Sequence, residues 1–221
     1  SYGGCDLYIR EYNKQTGWSK EYNLGNDINT RYWESQPCFS VNSDYLYFVS
    51  NRPGGFGKSD IWRAKIIGNK FFDIENLGSS INTENHEMSP FLHPDDLTLY
   101  FASNGHIGMG DYDLFVSRRE NIKEQWLFPL NLGFPINTFK SENSLIVSSN
   151  GETAFYSSNK SGFGNEDIFT FTLSENTKAK KISSVEIDII SKDKGDEILL
   201  KNVQFSNNSY ELKDKSFFEL E

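Results

Sequence analysis

Four aspartates, Asp6, Asp60, Asp113 and Asp167, stand 54, 53 and 54 residues apart, each just past a glycine-rich stretch. In such a setting a carboxylate either ligates calcium or accepts hydrogen bonds from the loop's own backbone. A carboxylate that returns once per loop suits the second use, so no metal role is assigned. Glu34, Glu87 and Glu142 keep the same beat. Arranged about an axis, they would form a ring of charge at the mouth of a channel, able to take a cation or a partner's basic group. The alternative is a carboxylate that bonds the neighbouring backbone. His86, His93 and His106, seven and thirteen residues apart, match no metal-ligand spacing and are expected at the surface. Cys5 and Cys38 are too few for a disulfide framework and are expected unpaired. Gly54-Gly55-Phe56-Gly57-Lys58-Ser59 ends like a phosphate-binding loop, but Arg52 occupies the position of the first glycine and a strand pattern follows. There is no Gly-x-Ser-x-Gly elbow and no nucleophile with its base, so no catalytic residue and no cofactor is expected.

These residues are positioned by a repeat. The stretch Asn51-Arg52-Pro53-Gly54-Gly55-Phe56-Gly57-Lys58-Ser59-Asp60-Ile61-Trp62 returns from Asn104 to Phe115 and from Asn159 to Phe169, and Gly4 to Tyr8 is the tail of an earlier copy. A second marker, Leu-Gly followed by Ile-Asn-Thr, recurs at 24–30, 77–83 and 132–138, each with a large aromatic six residues before the Leu: Trp18, Phe71 and Trp126. Within one period the alternation predicts strands at 90–93, 98–103 and 113–117 and around 126–132. With 22 Asn and 17 Gly against 4 Ala, the chain cannot supply the amphipathic helices of a helical solenoid. Four short antiparallel strands per period of about this length describe the blade of a β-propeller.

The fold class expected is therefore all-β: a propeller of four-stranded blades over residues 1–173, comprising the end of one blade, two full blades and most of a fourth. Its remaining blades are expected upstream of Ser1. A polar linker with a possible strand at Val185–Ile190 covers 174–197, and residues 198–221 begin an α+β domain.

The run Leu46-Tyr47-Phe48-Val49-Ser50-Asn51 through Trp62 resembles the WD40-like (PD40) repeat of TolB-type propellers, most closely the version in OmpA-family proteins of the Bacteroidota. The segment Asn202-Val203-Gln204-Phe205-Ser206 with Tyr210-Glu211-Leu212 resembles the entry of an OmpA-like peptidoglycan-binding domain, whose wall-binding residues would lie beyond Glu221. The resemblance implies a periplasmic, outer-membrane-associated protein whose propeller docks other proteins, tied to peptidoglycan through that domain, with a relative in type IX secretion.

The residues themselves also favour binding over chemistry. With 31 acidic against 22 basic side chains the net charge is −9, which argues against nucleic acid as a partner. Framework residues repeat in every blade and cannot distinguish partners. The loops that vary can: Arg31-Tyr32-Trp33 against Glu84-Asn85-His86 and Phe139-Lys140-Ser141. Tyr32, Trp33 and Phe139 are the expected exposed anchors of a partner protein in a multi-subunit envelope complex. The alternative is a small ligand or glycan held in the central channel.

Overall fold

Strand 2 of each repeat is a nearly unbroken apolar run, such as Tyr45-Leu46-Tyr47-Phe48-Val49-Ser50, the pattern of a strand buried on both faces. In the computed structural model, which describes residues 2–160, 162 and 164–179, these runs lie mid-blade in a row of antiparallel sheets. The expected strand at Val185–Ile190 and the domain start at 198–221 lie outside the described residues.

The first blade contributes β1 (Tyr8–Ile9), β2 (Tyr12–Asn13), β3 (Gly17–Trp18) and β4 (Tyr22–Asn23), with β1 paired to β4 and β2 to β3. The second blade is β5 (Glu34–Phe39), β6 (Tyr45–Ser50), β7 (Asp60–Ile67) and β8 (Lys70–Asn76), hydrogen-bonded in that order. The third is β9 (Glu87–Leu92), β10 (Thr98–Ser103), β11 (Asp113–Arg118) and β12 (Leu130–Asn131), and the fourth is β13 (Glu142–Val147), β14 (Thr153–Ser158) and β15 (Asp167–Thr172). The described part is thus an all-β propeller segment, and its first strands β5, β9 and β13 run side by side from blade to blade.

The core is not inside blades but between them. Along β6, Leu46 and Phe48 join Leu7, Ile28, Trp62 and Ala64 on one side, while Tyr47 and Val49 face Leu99, Phe101, Phe115 and Trp126 on the other. Along β10 the same alternation sends Tyr100 and Ala102 toward Leu145, Val147 and Tyr156 of the fourth blade. Each such buried side chain is worth roughly 1.5–3 kcal/mol, so the stacking of blades carries most of the stability.

Two departures from the sequence reading have local causes. The outermost strand expected across 126–132 keeps only Leu130–Asn131 in the ladder. Trp126 turns inward under the Arg119 guanidinium, 4.5 Å from its ring centroid, and Pro129 has no N–H to give a ladder. Secondly, the polar stretch from Ser174 begins as a docked turn. Thr177 and Ala179 are buried, Tyr100 Oη donates to Thr177 O (2.7 Å) and Arg118 Nη2 to Lys178 O (2.6 Å).

Candidate interaction surface

The hairpins β5–β6 and β7–β8 turn at one end of the second blade; at the other lie its long loop, 51–59, and the connection to the next blade, 77–86. Repeated polar residues hold this loop-bearing end. Asp60 Oδ2 accepts from Phe56 N (2.5 Å) and Asn76 Nδ2 (2.8 Å), and Oδ1 accepts from Gly57 N (3.0 Å). Asp113 takes both loop N–H groups, Met109 (2.7 Å) and Gly110 (3.1 Å), on Oδ2. Its Oδ1 is buried without a hydrogen-bond partner among the described residues, because Gly110 N bonds Oδ2 where Gly57 N takes Oδ1 of Asp60; Asn131 Nδ2 turns to Ile107 O (3.4 Å). Asp6 caps Tyr2 N and Gly3 N in the same way, and Asp167 takes Gly164 N. The loop glycines are steric necessities. A Cβ on Gly55, Gly108 or Gly162 would overlap the capped carboxylate, and one on Gly57 or Gly110 would overlap carbonyls of the next blade's connection, those of Thr83 and Asn85 or Thr138 and Lys140.

Glu34, Glu87 and Glu142 are fully buried. Each carboxylate binds the Thr four residues before it through both N–H and Oγ1 (Thr30, Thr83, Thr138) and accepts from a strand-2 Ser (Ser50, Ser103, Ser158), all at 2.7–3.0 Å. The three therefore tie each connection to the blade it enters. Burial pushes the Glu87 carboxyl up, against the lowering effect of its Thr83 and Ser103 donors. Asn29, Asn82 and Asn137 finish the frame, each bridging both backbone groups of the residue after the Asp, at Leu7, Ile61 and Leu114.

A further repeated device was not legible in the sequence: a basic side chain, Arg, His or Lys, laid on aromatic rings. Arg52 sits over Phe48 and Trp62 and donates to Ile28 O. His106 packs on Phe101 and Phe115 with Nε2 2.8 Å from Ile81 O, and Lys160 sits over Tyr156 and Phe169 with Nζ 3.5 Å from Pro135 O. The signal was hidden because the residue type changes in every blade and His106 is displaced by one position. Another device lies in the innermost strands, where Gln36, Ser89 and Ser144 all adopt left-handed φ (50°, 51° and 53°) beside a register shift. This repeated bulge re-aims the strand, and no glycine advertised it.

Of the histidines expected at the surface, His93 is buried and His86 and His106 are partly exposed. His93 is buried between blades with Nε2 3.2 Å from Ser148 O, His86 Nδ1 lies 2.8 Å from Ser59 Oγ, and His106 is the half-buried latch just described. Cys5 and Cys38 form no disulfide and are half-buried; Leu92 N donates to Cys38 Sγ (3.3 Å), and burial pushes that thiol up. Among the described residues no group of three or more His, Cys, Asp or Glu is placed to hold a metal ion.

The three expected anchors fare differently. Phe139 stands 78% exposed with Lys140 Nζ 5.2 Å from its ring centroid. Tyr32 and Trp33 are only partly exposed. The Tyr32 hydroxyl is bonded by Arg31 (2.8 Å), and Trp33 packs on the core between the second and third blades because its backbone is pinned by Asn51 Oδ1 (2.9 Å). Trp33 lines an open cavity of about 430 Å³ with Lys58, Ser59, His86, Met88 and Tyr112. On the inner strands, Gln36, Ser89, Phe91, Ser144 and Ile146 face a shallower groove of about 250 Å³.

No family model matches the sequence, and no curated protein matches it. Among solved structures the chain is similar to a puromycin-hydrolyzing peptidase of Mycobacterium tuberculosis, at TM-score 0.50 and 16% identity over 79% of this chain and 30% of that one. It also aligns with TolB from Acinetobacter baumannii (TM-score 0.41, 11% identity, 74% of this chain and 46% of that). A third is an α-L-arabinofuranosidase from Lactobacillus brevis (TM-score 0.46, 17% identity, 67% and 52%). The chain spans about half or less of each of these, and at such identities the peptidase likeness bears on the fold alone.

Proposed function

We propose that this propeller segment is a non-enzymatic docking platform for other proteins, working in the periplasm as part of an outer-membrane-associated complex. The observation that carries the reading is the division of labour at the loop-bearing end. Repeated Asp, Glu and Asn side chains bond backbone, hydroxyl and amide groups of the frame, while part of the variable set, Phe139 above all, faces solvent on that hydrogen-bonded base. Rigid, exposed side chains lose little entropy on binding, which is what a docking surface needs. A tether to peptidoglycan through an OmpA-like domain continuing past Glu221, and a place in type IX secretion, belong to the same proposal and rest on the sequence resemblance.

A second reading, a small ligand or glycan in the channel, draws on the groove along the three inner strands. The test is recovery of the complex from detergent-solubilised envelopes. Replacing Tyr32 and Phe139 together with Ala, with the core-packed Trp33 left in place, should keep the fold and weaken recovery of the partner. Unchanged recovery, or turnover by the purified chain, overturns the docking reading.

A further inference from the structure

The cavity of about 430 Å³ lies at the loop-bearing end of the innermost strands, with Trp33 and His86 standing just before β5 and β9. Trp33, Met88 and Tyr112 form its apolar wall, all three partly buried. The repeat does not call for them. At the equivalent places one blade further on stand His86, Asn143 and Glu166, and one blade back Met88 and Tyr112 become Ser35 and Ser59. Frame residues return in every blade, so a wall that occurs once among the described blades has a use that belongs to the junction of the second and third.

Polar groups on the same lining have hydrogen-bonding capacity to spare. His86 Nδ1 lies 2.8 Å from Ser59 Oγ, which leaves Nε2 open, and Asn51 spends Oδ1 on Trp33 N and keeps its amide NH2. The Lys58 ammonium and the Tyr112 hydroxyl have no hydrogen-bond partner among the described residues. Charge narrows the choice of ligand. Lys58 brings an ammonium to the lining, while carboxylates stand behind it: Asp111 next to Tyr112, Glu84 next to the Asn85 carbonyl that takes Lys58 N, and the buried Asp60 and Glu87. Burial, then Asp111 and Glu87, push the Tyr112 hydroxyl above its ordinary value. An anion would meet these carboxylates and a cation would meet Lys58, so the ligand that fits is neutral. A wholly apolar one would strand the polar groups, and an open-chain polyol would leave the aromatic wall uncovered. Resting on the second reading, that of a ligand at the channel, we infer that this cavity takes a neutral pyranose sugar, the C–H face of its ring against the Trp33 and Tyr112 wall and its hydroxyls bonded to Asn51, Lys58 and His86.

The test is isothermal titration calorimetry of the full 221-residue chain with the methyl β-glycosides of glucose, galactose and N-acetylglucosamine. Glucuronate, glucosamine and sorbitol serve as anionic, cationic and open-chain controls. The best of the glycosides should bind at least about tenfold more tightly than any control. Met88→Trp, which fills the cavity, should lose about that factor with unchanged circular dichroism, and Ile146→Trp, in the groove along the inner strands, should lose none. Tryptophan emission of the wild-type chain should shift on saturation, and Trp33→Phe, which keeps an aromatic ring in the core contact, should abolish the shift. A peptide carrying the same sugar that binds more tightly than the free glycoside places the ring on a glycoprotein, and equal affinity makes it a free saccharide; either supports the assignment. No binding of any glycoside, a control bound as tightly as the best of them, or an emission shift that survives Trp33→Phe overturns it. Binding that Ile146→Trp loses and Met88→Trp keeps also overturns it, yet leaves a channel ligand standing and moves it to the groove.

Discussion

Asp60 and Asp113 occupy equivalent positions yet are bonded differently, and the difference is measurable. Asp60 uses both oxygens as acceptors, so an amide in its place must turn an NH2 toward a backbone N–H or toward Asn76. Asp113 uses only Oδ2, and its unpartnered Oδ1 leaves room for that NH2. Asp60→Asn should therefore cost about 1–3 kcal/mol in urea unfolding and Asp113→Asn clearly less; equal costs would show that the capping geometry is wrong. Glu87 supplies the pH dependence. Its folded carboxyl is pushed above the ordinary glutamate value of 4.5 by burial, so the fold favours the protonated form. That contribution is complete below the unfolded value and is lost as pH rises through the folded one. The stability of the wild-type chain relative to Glu87→Gln should then fall as pH is raised from about 4 toward neutrality. The lowering influence of His106 on the Glu87 carboxyl works against burial and is outweighed by it. A difference that stays flat or grows with pH contradicts the burial argument.

At the scale of elements, the junction between loop and neighbouring blade is the brittle part. Gly110→Ala drives a methyl into the Thr138 and Lys140 carbonyls, backbone that cannot step aside, and should cost about 1–3 kcal/mol by overpacking. Gly68, in the β7–β8 hairpin with φ 61° and open space around it, should lose only about 1 kcal/mol as Ala, from the left-handed backbone alone. Thermal unfolding of the two variants checks the contrast, and a milder Gly110 variant would mean the loops do not bear on their neighbours. These junctions also show what the sequence discloses. The repeat was legible because its loops need glycine and aspartate for steric and hydrogen-bonding reasons that act locally, and strands 98–103 and 113–117 follow from apolar runs bounded by those loops. The outermost strand was not, because Trp126 reads as a strand aromatic until Arg119 and the neighbouring blade claim it. The inner-strand bulges at Gln36, Ser89 and Ser144 and the Arg52–His106–Lys160 latch stayed hidden because each depends on position and not on one residue type.

For the whole molecule, a docking platform of the proposed kind works through the loop-bearing end of the blades and leaves the hairpin end passive. Phe139 projects from the first and Asn69, in the hairpin after Gly68, from the second. The direct measurement is photo-crosslinking in intact cells from an unnatural amino acid placed at position 139 and, separately, at position 69, with the products identified by mass spectrometry. Docking through the loop-bearing end should give a discrete envelope-protein adduct from position 139 and none from position 69. Adducts of equal yield from both positions, or from position 69 alone, would contradict it.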